Sequence, residues 1–159
     1  MSDRAPSGGA FVTGMQAVSV RQVADAVARR EGEPCAEAYS AAEWLLYRDR
    51  PQSLAGRWAA KRAVVRALGM DADADVNADA DADANADANV VPNVDAGDTP
   101  LPPVAYAEIE ILPLVSGQPS IRLSGNTATR AAGLGLSRWL VTITHTREVA
   151  IAYVVGCRP

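Results

Sequence analysis

The sequence predicts an α+β domain, and three observations carry that expectation. Strand-like runs stand near both ends of the chain, at Ala10–Val20 and again in SRWLVTITHT and EVAIAYVV. One long helical segment, PQSLAGRWAAKRAVVRALG, lies between them, bounded by Pro51 and Gly69. Helices and strands are segregated along the chain and do not alternate regularly, which separates α+β from α/β architecture. The 159 residues (16.6 kDa) suit one domain, residues 1–159. The hydrophobic fraction of 48% supplies a sizeable core.

Each element has a local reason. Ala10–Val20 (AFVTGMQAVSV) is apolar and β-rich. Ser19–Arg30 carries Val20, Val23 and Val27 at helical spacing. Ser40 followed three residues later by Glu43 is a capping-box pattern, opening a helix over SAAEWLLYRD. Pro51 suits the first turn of the next helix and Gly69 its end. VAYAEIEILPL alternates like a strand, Gly117–Gln118–Pro119 signals a turn, and SIRL is a short strand. Asn126–Leu136 reads as a helix softened by Gly133 and Gly135. SRWLVTITHT and EVAIAYVV close the chain as two strands joined by a tight turn.

The formal net charge of -4 hides two unlike parts. Residues 71–98 hold nine aspartates and no basic residue. Outside that stretch, fifteen basic residues face ten acidic ones, so the body is basic and suits an anionic partner. Within it Asp71–Asn89 alternates Asp or Asn with small residues and offers no apolar face to pack, so a disordered insertion, dispensable for folding, is expected at about 71–98. Its alternate carboxylates resemble half of an EF-hand loop, but the turn glycine and the closing glutamate are missing. No run of eighteen apolar residues exists and no secretory leader pattern opens the chain, so a membrane span and export are not expected. Cys35 and Cys157 form no metal-ligand or disulfide pattern, which fits a reduced, cytoplasmic setting.

Fourteen of the fifteen basic residues are arginines; Lys61 is the only lysine and His145 the only histidine. On the long helix Arg57 and Lys61 are four apart, as are Arg62 and Arg66. Like charges at that spacing cost roughly 0.2–0.5 kcal/mol per pair. Two readings stand: a solvated basic face, or a phosphate-binding surface built on planar guanidinium forks and one ammonium. His145 in THT is either a hydrogen-bonded structural residue or an acid/base group, and no local Ser/His/Asp or Cys/His pattern decides between them.

These same segments resemble the holo-acyl-carrier-protein synthases, small 4′-phosphopantetheinyl transferases. LAGRWAAKRAVVRALG is similar to their signature helix, R-[FW]-A-x-K-E-A followed by a further basic residue and A-[LF]-G. YSAAEW resembles their T-x-x-E helix start, and SGQPSIRLSGNTA their G-x-P strand, turn and helix. LVTITHTREVAIAYVV resembles the closing S-H-T hairpin, and VTGMQAVSVRQV the G-x-D-[IL]-V strand. The resemblance covers most of the chain outside the Asp-rich insertion. It implies a homotrimer that moves the phosphopantetheine arm of coenzyme A onto a serine of apo acyl carrier protein. It also implies magnesium held by the Asp of G-x-D and the Glu of K-E. It points to Lys61, Arg66, His145 and Thr146 as contacts to the cofactor, to Arg57 and Arg66 as contacts to the carrier protein, and to Lys61, Arg62 and His145 as the candidate catalytic set.

The sequence departs from the family at both carboxylates. Gln16 stands at the Asp position and Arg62 at the Glu position, so no metal ligand is expected at either. Glu108 and Glu110, on the strand VAYAEIEIL, stand as alternative metal ligands. The reading is therefore a diverged member that engages coenzyme A or another pantetheine-bearing partner, with no role for nucleic acid. It would act on or bind a carrier-tethered chain in a polyketide or fatty-acid type pathway. The alternatives are an active 4′-phosphopantetheinyl transferase and a non-catalytic carrier-binding assembly factor.

Overall fold

The computed structural model of the chain describes residues 11–31, 35–70 and 106–159. The insertion expected at about 71–98 lies outside the described residues.

Among the described residues, two antiparallel sheets and four α-helices make up the fold. Strand β1 (Phe11–Ser19) runs directly into helix α1 (Val20–Ala28), because the Ser19 hydroxyl accepts the backbone N–H of Gln22 and caps it. Helix α2 (Ala41–Tyr47) opens on the expected capping box, in which the Ser40 hydroxyl and the Glu43 carboxylate each accept the other residue's backbone N–H. Helix α3 (Pro51–Ala67) begins on its proline and ends before Gly69, whose φ of 62° no β-branched residue adopts readily. Strands β2 (Ile109–Pro113) and β3 (Pro119–Leu123), helix α4 (Gly125–Gly133), and strands β4 (Arg138–His145) and β5 (Val149–Cys157) complete the order.

The larger sheet has the order β1-β5-β4, and β2-β3 forms a separate hairpin. Register places Gln16 opposite Ala152, which pairs with Ile143; one step along, Val18 lies opposite Ala150, which pairs with His145. Side chains in such rows share one face. That face carries α3, and Val18, Ala150, Ala152 and Val154 are buried beneath it. The inner side of α3 is dominated by small residues, Ala55, Ala59, Ala60, Ala63 and Ala67, so helix and sheet approach closely. A Cβ on Gly14 would run into the carbonyl of Ala63, and one on Gly56 would lie 2.7 Å from Ile143 Cγ2. The helix thus crosses the sheet from β4 near its start to β1 near its end.

The opposite face of the sheet is apolar and exposed: Phe11, Met15, Leu140 and Tyr153 are between 42% and 58% accessible. An alternating strand packed on one side ordinarily turns polar residues to water, so this face has the composition of a covered surface.

Two sequence expectations need correction. Residues 106–108 form a 3-10 turn, and the strand begins only at Ile109. The alternation in YAEIE is overridden because the Tyr106 ring packs 4.6 Å from Trp58 and Glu108 is drawn to the start of α4. Helix α4 stops at Gly133, short of Leu136, since Gly135 takes a φ of 73°.

Candidate functional site

The basic stripe expected on α3 divides into inward and outward members. Lys61 is fully buried (0%), and its ammonium donates to Glu43 Oε2 at 2.7 Å and to the Tyr106 carbonyl at 3.1 Å. Glu43 is equally buried, and its other oxygen accepts the Ile111 backbone N–H at 2.8 Å. One carboxylate therefore ties α2, α3 and β2 together. Burial pushes the Lys61 ammonium below its ordinary pKa, and the adjacent Glu43 carboxylate opposes that shift. The expectation of Lys61 as a surface cation meeting a cofactor is corrected: its helix position faces the core, where burial of the charge is compensated by a partner.

Arg57 is half-buried. Its guanidinium lies 3.8 Å from the Tyr47 ring centroid and donates to the Tyr47 hydroxyl at 2.8 Å, so it braces α2 against α3. Arg62 and Arg66 alone point outward from the stripe. Arg66 Nη1 donates to Gln16 Oε1 at 3.3 Å, which brings β1 and the outer face of α3 to one place. Arg62 lies one helical turn before Arg66 and has no acidic partner among the described residues.

His145 ends β4, exposed, on the α3 side of the sheet. Its row partner beyond β5 is Val18, about 10 Å away across two strand spacings and two residues along β1 from Gln16. The Thr146 hydroxyl accepts the backbone N–H groups of Glu148 and Val149, both at 3.1 Å, so it shapes the β4–β5 turn. That turn also receives the first N–H of α1, from Val20 to the Glu148 carbonyl. The described site is thus a shallow basic face: Gln16 on β1, Arg62 and Arg66 on α3, and His145 with Thr146 at the sheet edge.

A magnesium ion does not fit the donors on this face. The Gln16 amide oxygen already accepts from Arg66, and the Arg62 guanidinium has no lone pair to give. Glu110 forms an ion pair with Arg122 at 3.6 Å. Glu108 accepts both the backbone N–H and the hydroxyl of Thr127, at 2.9 and 3.0 Å, capping α4. The metal-ligand role weighed for these glutamates gives way to pairing and capping; the Ser-Gly-Asn-Thr start of a helix is the sequence signal for a carboxylate cap.

The Thr127 amide hydrogen bond holds Glu108 below its ordinary value of 4.5. A group depressed in the folded state contributes stability that is present above the unfolded value and lost as pH falls through the folded one. Thermal unfolding of Glu108→Gln should therefore differ from that of the unchanged chain at pH 7. The difference should shrink as pH drops below 4.5; a gap independent of pH would contradict the assignment.

A small α+β fold in which a long helix crosses a three-stranded antiparallel sheet, with a basic patch at the helix end, defines the class. The chain is 34% identical over 146 residues to a holo-[acyl-carrier-protein] synthase of Herpetosiphon aurantiacus, covering 92% of this chain and 98% of that one. The chain belongs to the holo-[acyl-carrier-protein] synthase family. The apo-ACPS structure of Chronobacterium ammoiniagenes superposes with a TM-score of 0.66 at 25% identity, over 94% of this chain and 98% of that one. The Helicobacter pylori holo-[acyl-carrier-protein] synthase, solved in complex with coenzyme A, superposes with a TM-score of 0.62 at 21% identity, over 91% and 98%. No protein-family model matches the chain.

Proposed function

We propose that this chain is a diverged family member that engages coenzyme A, or a pantetheine-bearing acyl carrier protein, through the basic face without a divalent metal. Its role would be to act on or hold a carrier-tethered chain in a polyketide or fatty-acid type pathway. The observation that carries this reading is the pair Gln16 and Arg62, an amide and a guanidinium at the two positions where the family resemblance places magnesium carboxylates. The basic body outside residues 71–98 supports an anionic partner, and the Helicobacter pylori relative binds coenzyme A. His145, exposed at the sheet edge, is the candidate acid/base group of this reading. The exposed apolar face of the sheet supports a homotrimer in which copies cover one another there, and sedimentation measures it. Unpaired Cys35 and Cys157 agree with a cytoplasmic setting. Among the described residues no helix is long and apolar enough to cross a membrane.

The second reading is an active 4′-phosphopantetheinyl transferase. It is favoured by the Herpetosiphon aurantiacus synthase, which this chain matches over nearly its full length. Intact mass after incubation with apo carrier protein, coenzyme A and magnesium separates the two. The expected result is no mass gain on the carrier protein, and a gain of one phosphopantetheine arm would establish the second reading.

Electrostatic attraction to either partner should also weaken with salt, since screening acts over about 8–10 Å near physiological ionic strength. Affinity for coenzyme A measured across a salt series is expected to fall as salt rises. Indifference to salt would mean that the basic face is only solvated.

A further inference from the structure

We infer that Gln16, Arg62 and Arg66 form a metal-independent site for a diphosphate group, with Gln16 as a positioning residue for Arg66. The inference deepens the proposed function and rests on it. Arg66 Nη1 is held by the Gln16 amide oxygen at 3.3 Å. An amide fixes the direction of the guanidinium and leaves its charge intact, whereas a carboxylate at the same position would pair with Arg66 and cancel it. Glutamine at residue 16 is therefore matched to an anionic ligand and ill suited to a cation.

Arg62 supplies the second charge. It is exposed one turn earlier on the same stripe of α3, with Cβ atoms about 5–6 Å apart at that spacing. Neither guanidinium has an acidic partner among the described residues. Two like charges at i,i+4 are mildly unfavourable for the helix alone, and a bridging dianion removes that penalty. Each guanidinium presents a planar fork to phosphate oxygens. The rotation of α3 that aims them is set from the buried side, where adjacent Lys61 is locked onto Glu43. The exchange at residue 62 thus adds a covalently fixed positive charge beside that of Arg66, where a carboxylate pair would require a mobile cation. Magnesium in solution then acts as a competitor, because it neutralises the diphosphate before the guanidiniums reach it.

Calorimetric titration with coenzyme A, in chelator and in magnesium, tests this, with inorganic pyrophosphate as a competing probe. Binding is expected in chelator, displaced by pyrophosphate and weaker once magnesium is added. Arg66→Gln should lower affinity about 10- to 100-fold. Gln16→Glu should lower it comparably by neutralising Arg66, while Gln16→Met, which keeps the charge and loses only the tether, should lower it less. Melting temperatures of all three variants are expected to stay near that of the unchanged chain. Binding that strengthens in Gln16→Glu, or that ignores Arg66→Gln, would overturn the inference and leave the proposed function standing, whereas binding that requires magnesium would overturn both. Absence of coenzyme A binding in both media would overturn the inference together with the coenzyme A form of the proposed function.

Discussion

Glu43→Ala is expected to destabilise the fold by about 3–5 kcal/mol, because it leaves a fully buried ammonium without its counter-charge. Total stabilities of domains this size run to about 5–15 kcal/mol, so the variant should sit at the edge of folding. The loss extends beyond the ion pair. The Ser40 and Ile111 backbone N–H groups both donate to Glu43, at 2.7 and 2.8 Å, and at least the latter has no water to turn to. Lys61→Met should cost less: it removes the cation but leaves Glu43 two backbone donors, and an unbranched apolar chain fills the space of the lysine stem. Urea denaturation of the two variants measures the order. A Glu43→Ala loss below about 1 kcal/mol, the range of exposed pairs, would show that the pair is not dry.

The second large effect is functional. Gln16→Asp with Arg62→Glu restores a carboxylate at each of the two family positions, and Arg66 remains as the one cation of the group. The local charge passes from net positive to net negative, so magnesium affinity in the presence of coenzyme A should rise on the order of tenfold or more, as charge pairs near a protein surface interact by several kcal/mol at contact. If divergence stopped at these two positions, the carrier protein should also gain the mass of a phosphopantetheine arm. Unchanged metal affinity would place the divergence more widely in the pocket. Because Arg66 will compete for a new Asp at residue 16, adding Arg66→Lys should strengthen the metal response further, since lysine lacks the bidentate fork.

Most of the fold is legible in local chemistry. The Ser40–Glu43 capping box, Pro51 at the start of α3 and Gly69 past its end each act within a few residues, so a one-dimensional pattern records them. The 3-10 turn at Tyr106–Glu108 is not legible, because its causes are distant: Trp58 on α3 and the start of α4. The same limit governs the site. Spacing identifies Arg57, Lys61, Arg62 and Arg66 as two i,i+4 pairs, but periodicity alone does not say which pair faces the core. A lysine between Ala60 and Arg62 reads as exposed until its acid, Glu43, is known to lie eighteen positions earlier. The Glu43 carboxylate itself was legible as a helix cap and illegible as an ion-pair partner, since one side chain serves both roles. The exchange at residues 16 and 62 was readable as a loss of carboxylates; the Gln16–Arg66 tether that gives it a positive sense required the packing of β1 on α3.

The burial of Lys61 has a practical outcome. It is the sole lysine of the 159 residues and none of it is accessible, so the folded chain offers no ε-amine to acylating reagents. Acylation of that residue therefore requires the junction of α2, α3 and β2 to open. Its rate, followed by mass, reports the opening of the core without an introduced label. Amine-coupled immobilisation through a lysine would capture opened molecules and pass over intact ones, so surfaces prepared for binding measurements need an attachment through another group.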